Sequence, residues 1–238
     1  MTEAIPRRTL GCTGIEVGVL GLGTVKLGRN QEVKYPRGFA LPDDRAVRGL
    51  LDLAADLGIN LIDTAPAYGS SEERLGQLLP GPRERWVLGT KVGEEFVAGV
   101  SRHDFSPEAV RASVERSLRR LRTDWLDLVL VHSDGADLQI IEHSGALETL
   151  AELKRAGKVR AFGMSTKTLA GGLRAAELCD LLMVTWHLDY EAEVPVIDRC
   201  LKLGTGVLLK KVLASGHAAG GSDPVRAAFT NPLGSRTG

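Results

Sequence analysis

Cysteine is scarce in this sequence and poorly arranged for cross-linking: among 238 residues only Cys12, Cys179 and Cys200 carry a thiol, an odd number at wide spacings. That excludes a disulfide framework and leaves no Cys/His spacing for a structural zinc, so the fold has to rest on an apolar core in which the thiols are small core residues. An excess of charge of either sign is also missing, because 30 basic residues balance 30 acidic ones. No long-range field then draws the chain to nucleic acid, to an anionic membrane or to a highly charged partner. Nowhere do eighteen apolar residues run uninterrupted, and the opening MTEAIPRRTLGCTG lacks the apolar stretch of a secretory signal. The expectation is a cytoplasmic protein.

What is present is the ordinary mixture of a globular domain, 43% apolar and 25% charged, with no linker or composition break, so a single domain over residues 1–238 is expected. The length lies just under the roughly 250 residues of a complete (β/α)8 barrel. Seven short runs rich in Val, Ile and Leu recur along the chain: 18–24, 60–65, 86–92, 127–132, 159–165, 181–187 and 206–213. Runs apolar on both faces suit parallel strands covered by helices. The segments between them carry helix punctuation, clearest at Ser106-Pro107-Glu108, where a cap, a proline in the first turn and an early acid coincide. Val110, Val114, Leu118 and Leu121 then share one face. Leu50, Leu51, Ala54 and Leu57 form a second stripe ending at Gly58, and Leu147, Leu150 and Leu153 a third ending at Gly157. Residues 25–43 make a long first connection that carries Lys26, Arg29, Tyr35 and Phe39, and it is read either as a substrate-facing loop or as a decorative insertion.

Three apolar runs end in a polar residue that the run itself does not require: Asp63 after NLI, Lys91 after VLGT and His132 after LVLV. Tyr68 follows Asp63 by five residues. In a parallel barrel the C-terminal strand ends share one rim, where active sites of such barrels lie. Taken singly, a capping aspartate, a surface lysine, an amphipathic tyrosine and a buried histidine are the plainer readings. Together they make a proton-transfer group, in which an ammonium lowers the cost of forming a phenolate, a carboxylate keeps that ammonium charged, and an imidazole donates to a substrate carbonyl. His132, His187 and Asp63 lack the spacing of a metal site.

The stretch D63-T-A-P-A-Y68-G-S-S-E-E-R-L-G76 resembles the Asp/Tyr motif of the aldo-keto reductases, and S117-L-R-R-L-R-T-D-W-L-D-L-V-L-V-H132 resembles the segment leading to that family's histidine. The GTK at Lys91, the segment G157-K-V-R-A-F-G-M-S165, and LGCTGIEVGVLGLGT as opening hairpin and first strand extend the likeness from about residue 8 to about residue 216. The resemblance implies a TIM-type (β/α)8 barrel that reduces an aldehyde or ketone with NADP(H), with Tyr68 as proton donor, Lys91 and Asp63 tuning it and His132 orienting the substrate. It further implies that Gly23 and Thr24 approach the cofactor and that Ser165 meets the nicotinamide carboxamide, with Thr166 where the family commonly has asparagine. The pattern is broken at Met183, where a glutamine is usual, and at Lys210 and Lys211, where an aromatic residue is common. Those two lysines are read equally as phosphate ligands of the cofactor and as a solvated patch. After residue 216 no apolar eighth run follows, so the eighth βα unit is expected to be missing or degenerate, with 217–238 an irregular tail. Two rival functions stay open: a non-catalytic binding or regulatory subunit, and a lyase using Lys91 as a Schiff-base amine. The expected partner is a small carbonyl compound, with self-association left open.

Overall fold

The computed structural model describes residues 5–215 apart from positions 34, 36 and 37, so the tail at 217–238 lies outside the described residues. A short hairpin opens the chain, β1 (Arg7–Thr9) and β2 (Glu16–Gly18), followed by β3 (Gly21–Gly23), α1 (Val25–Gly28), α2 (Asp44–Asp56), β4 (Leu61–Asp63), α3 (Ser71–Leu78) and β5 (Val87–Val92). A second hairpin then intervenes, β6 (Glu94–Val97) and β7 (Val100–His103), before α4 (Pro107–Leu121) and β8 (Leu126–His132). The remainder is α5 (Asp137–His143), α6 (Ala146–Arg155), β9 (Val159–Ser165), α7 (Leu169–Ala175), β10 (Leu181–Thr185), α8 (Val194–Leu203) and β11 (Gly206–Lys210).

Seven strands form one parallel sheet in the order β11-β10-β9-β8-β5-β4-β3, with successive strands joined through helices. This is the (β/α)8 architecture with seven strands among the described residues. Among the described residues β3 and β11 stand at opposite ends and do not pair with each other. The observed strands are shorter than the apolar runs at several ends. The run at 18–24, for instance, divides between β2 and β3, and the run at 181–187 stops at Thr185.

Side-chain alternation assigns the two faces. On one face Leu61, Val87, Leu128, Leu130, Ala161, Leu181 and Met183 cluster with Leu10, Ile15 and Val17 of the opening hairpin, which plugs the barrel floor. On the other, Ile62, Leu88, Val129, Val131, Leu182 and Val184 pack against the helices. Asn60 ties the plug to the sheet, accepting from Gly18 N at 2.7 Å and donating to Glu16 O at 2.9 Å.

The helices start where the sequence signals them. Ser106 Oγ accepts from Ala109 N with Pro107 in the first turn of α4, and Asp43 Oδ1 accepts from Ala46 N at the head of α2. One stripe needs correction: α2 buries Val47, Leu51, Ala54 and Ala55, whereas Leu50 is 39% exposed. Val47, one turn ahead of Leu51, sets the phase of that helix, and Leu50 sits about 100° round from Leu51.

Candidate active site

Strand register collects the candidate residues. Gly23 is level with Asp63, Asp63 with Gly89, Lys91 with Leu130, His132 with Ser165, and Thr185 with Lys210. Counting in twos from the interior residues Leu61, Val87, Leu128, Ala161 and Leu208 reaches Asp63, Lys91, His132, Ser165 and Lys210 in turn, so all five point into the barrel at its C-terminal end. Tyr68 joins them from the loop after β4, where Pro66–Tyr68 form one 3-10 turn. Gly69 ends that turn at φ +61°, and a Cβ there would stand 2.2 Å from Gly28 O, so only glycine permits this approach.

Lys91 is buried and donates to Asp63 Oδ1 at 2.6 Å and to Thr64 O at 2.9 Å. Its Nζ lies 4.7 Å from the Tyr68 ring centroid. The Tyr68 and His132 rings stand 6.4 Å apart and perpendicular. The four residues of the predicted group therefore meet. Burial by itself would lower the Lys91 pKa, but Asp63 and Tyr68 hold it above its ordinary value, so the amine stays charged. Burial raises the Tyr68 phenol, and Lys91 pulls it back without cancelling the rise. Lys91 acts in the expected direction, but desolvation outweighs it, so the hydroxyl stays protonated at neutral pH.

Beneath the group runs a buried polar support. Ser71 Oγ receives the hydroxyl proton of Thr64 at 3.0 Å and meets Thr24 Oγ1 at 2.8 Å, while Thr24 Oγ1 donates to Asp63 O at 2.9 Å. Glu72, fully buried, accepts from Thr90 Oγ1 at 2.7 Å and pairs with Arg120.

Sequence reasoning missed Glu94. Its Oε2 lies 2.7 Å from His132 Nδ1, off the line of a well-formed hydrogen bond. Although burial opposes it, contact with His132 and with the Ser101 hydroxyl holds the Glu94 carboxyl down at about 2. Burial lowers the His132 pKa, Glu94 resists, and the ring is neutral at neutral pH. An ionised carboxylate beside Nδ1 favours the proton there, which leaves Nε2 of the neutral ring as an acceptor. Arg29 lies 3.6 Å from the Phe96 ring centroid, donates to Ala67 O at 3.0 Å, and comes within 3.9 Å of Glu94, so it joins the first loop to the second hairpin. The same loop places Lys26 over the Tyr35 ring at 4.3 Å.

On the remaining rim, a Cβ on Gly23 would meet nothing within 4 Å among the described residues. Thr24 is buried beneath it, within the support. Lys210 donates to Ser165 Oγ at 2.8 Å and to Thr166 O at 2.9 Å, while Thr166 Oγ1 is buried without a partner. Lys211 is exposed. A cavity of about 300 Å³ lies at the other end of the sheet, lined by Arg7, Asn60, Arg83, Trp86, Trp125 and Arg160 among others. Those residues flank the strands' N-terminal ends. Here Asp127 is a clamp, bound to Arg83 and Arg160 at 2.6 Å each and accepting from Leu88 N at 2.9 Å.

A parallel strand–helix barrel with a carboxylate, an ammonium, a phenol and an imidazole on its C-terminal rim defines a class of barrel oxidoreductases. The sequence profile of the aldo/keto reductase family matches residues 19–231, and the chain belongs to that family. It is 31% identical to a D-threo-aldose 1-dehydrogenase of a Pseudomonas species, over 90% of this chain and 70% of that protein. To the aldo-keto reductase YhdN of Bacillus subtilis it is 36% identical over 64% of this chain and 44% of the relative, so that match spans less than half of the longer protein. Among solved structures, a Pseudomonas aeruginosa protein described as an aldo-keto reductase superposes with a TM-score of 0.85 at 56% identity, covering 94% of this chain and 82% of that one. A Bacillus halodurans aldo-keto reductase in its holo form gives 0.73 at 29% identity, over 89% and 68%.

Proposed function

We propose that this chain reduces an aldehyde or ketone to an alcohol with NADPH, with Tyr68 as the proton donor. The observation that carries the reading is the buried Lys91 held charged by Asp63 beside a phenol that burial keeps protonated. A nicotinamide cofactor, when bound, supplies the hydride that the carbonyl carbon takes up. Tyr68 gives its proton to the carbonyl oxygen. The Lys91 ammonium then stabilises the phenolate left behind, and Asp63 fixes that ammonium in place. Neutral His132 accepts from a hydroxyl of substrate or product at Nε2, with Glu94 fixing its orientation.

The rim suits a nicotinamide nucleotide. Open space over Gly23 and the Lys210 ammonium offer room and positive charge. Gly23 and Ser165 are the residues that would meet it, with the buried Thr24 and Thr166 backing them, and Lys210 and Lys211 supply charge favouring its phosphates. A Schiff-base role for Lys91 would need a neutral amine, which Asp63 opposes. A small carbonyl compound is the partner, and the relative named D-threo-aldose 1-dehydrogenase directs the assay toward aldoses as well as simple aldehydes. The test is the near-ultraviolet absorbance of NADPH in the presence of such a substrate panel. Tyr68→Phe should lower turnover by at least about 100-fold while leaving NADPH binding intact. NADPH binding without turnover on any substrate would favour the regulatory reading, and near-normal turnover in Tyr68→Phe would sink the mechanism.

A further inference from the structure

Lys210 is a partly buried ammonium with a distinctive setting at the sheet's end. Two of its three donors are spent on neutral oxygens, Ser165 Oγ at 2.8 Å and Thr166 O at 2.9 Å. Among the described residues no carboxylate stands within ion-pair distance. The charged groups near it are Glu193 at the head of α8, Lys211 next in the chain, Lys91 on β5 and Lys167 after β9, and its charge also reaches His132 on β8. Two interior ammonium groups, Lys91 and Lys210, therefore share one bowl with Tyr68. Only Lys91 has a bound carboxylate, so the uncompensated positive charge is that of Lys210.

We propose that Lys210 makes the site discriminate between the redox forms of its nicotinamide cofactor, holding the neutral reduced ring in preference to the cationic oxidised ring. The proposal rests on the carbonyl reduction assigned above. In that reaction the proton leaves Tyr68 for the carbonyl oxygen, and a hydride, one hydrogen with two electrons, goes to the carbon bonded to the same oxygen. The donor ring must therefore reach the bowl that holds Tyr68, and loss of the hydride turns it from neutral to a unit positive charge. Lys210 repels the second form alone. The adenosine and phosphate groups are identical in the two forms, so their contributions cancel in the ratio of affinities. Discrimination of this kind favours reduction and hastens release of the spent nucleotide.

The pH behaviour isolates the residue. Burial, reinforced by Lys211, Lys91 and Lys167 and opposed by Glu193, lowers the Lys210 pKa to about 8. Lys91 and Tyr68 are held above their ordinary values, His132 below its own, and Glu94 at about 2, so those neighbours keep their charge while Lys210 loses its proton.

The test is the dissociation constant of NADPH and of NADP+, measured by titration calorimetry on the full chain, on Lys210→Met and on Lys210→Arg, at pH about 7 and about 9.5. For unit charges sharing one partly hydrated bowl the parent should bind NADPH about tenfold more tightly than NADP+ at the lower pH. That ratio should shrink toward unity at the higher pH. Lys210→Met should give a ratio near unity at both, and Lys210→Arg should keep the preference at both. A parent ratio that ignores pH, or one that Lys210→Met leaves unchanged, overturns the proposal. If Lys210→Met fails to fold, the parent's pH series and Lys210→Arg still decide it. Failure of NADPH to bind the parent overturns both this inference and the proposed function, whereas binding of both forms with an invariant ratio overturns this inference alone.

Discussion

Replacing Glu94 with Gln tests whether the second hairpin takes part in the chemistry of the rim. The carboxylate lies 2.7 Å from His132 Nδ1, and the two side chains are 14% and 21% exposed. Two unit charges about 4 Å apart at an effective dielectric of about 20 attract by about 4 kcal/mol, an upper bound that partial exposure, imperfect alignment and salt reduce to about 1 to 2 kcal/mol. That is roughly one unit in the imidazole's titration midpoint. Glu94→Gln should therefore move the midpoint of His132 down by about one unit, read from the carbon-bound ring protons by NMR, with His132→Gln identifying the resonance. The acid limb of the pH profile for carbonyl reduction should move with it. The sign for stability follows from Glu94 itself: a carboxyl held at about 2 rather than 4.5 stabilises the fold above pH 4.5, and this contribution is lost as the pH falls toward 2. The Gln variant should show a flatter dependence of unfolding free energy on pH across that window. A midpoint within about 0.3 units of the parent's would show that Glu94 and His132 are near neighbours without coupling, and the tautomer argument would fall with it.

Two further outcomes are expected. Lys91→Met should lower turnover by about 100-fold or more, because the phenolate formed on proton transfer loses its ammonium. In the alcohol-oxidising direction it should also move the alkaline limb upward, since burial, Asp63 and Glu94 then act on Tyr68 unopposed; an unmoved pH profile with normal rates would refute the pairing. Asp127→Asn should cost about 2 to 4 kcal/mol, with a fall in melting temperature of about 5 to 10 °C, because a buried carboxylate joining Arg83, Arg160 and Leu88 N is removed. Turnover well below the melting temperature should be unaffected, and a loss of activity without a loss of stability would show that the barrel floor is coupled to the rim.

The fold and three rim residues, Asp63, Lys91 and His132, were legible for one reason: in a barrel strand apolar on both faces, a polar residue at the C-terminal end has nowhere to point except the rim or the helix layer. Period-two counting from Leu61, Val87 and Leu128 then settles which. Tyr68, in the loop after β4, is read from the motif that begins at Asp63. Glu94 escaped because its role depends on a hairpin folding over the strand end, a non-local contact. A signal was there: VGEEFVAGVSRH places Ala98-Gly99 between two short strands, and both residues adopt positive φ in a two-residue turn between Val97 and Val100. The direction of the Tyr68 shift was not legible either, since it depends on how burial balances a single ammonium. Leu50 was misassigned because leucines are plentiful on both sides of α2, and scattered exposed leucines are ordinary on a surface.

The register also divides the rim into two parts with different dependence on the sheet's ends. Asp63, Lys91 and His132 belong to β4, β5 and β8, each flanked on both sides by parallel neighbours, and the support through Thr64, Ser71 and Glu72 lies directly beneath them. Lys210 belongs to β11, at one end of the described sheet, and Gly23 to β3 at the other. The proposed proton-transfer group thus stands on the interior of the sheet, where backbone position is fixed from two sides. Of the groups proposed to meet the nucleotide, Gly23 and Lys210 lie at the sheet's ends, on strands paired from one side among the described residues, whereas Ser165 lies on β9 in the interior. Perturbations near β3 and β11 should therefore act first on nucleotide affinity and on the preference between its redox forms, and only later on the proton-transfer step. The two ammonium groups sit on strands separated by β8, β9 and β10, and each has its own oxygen partners, while the charge of Lys210 still reaches Lys91 and His132 across the bowl.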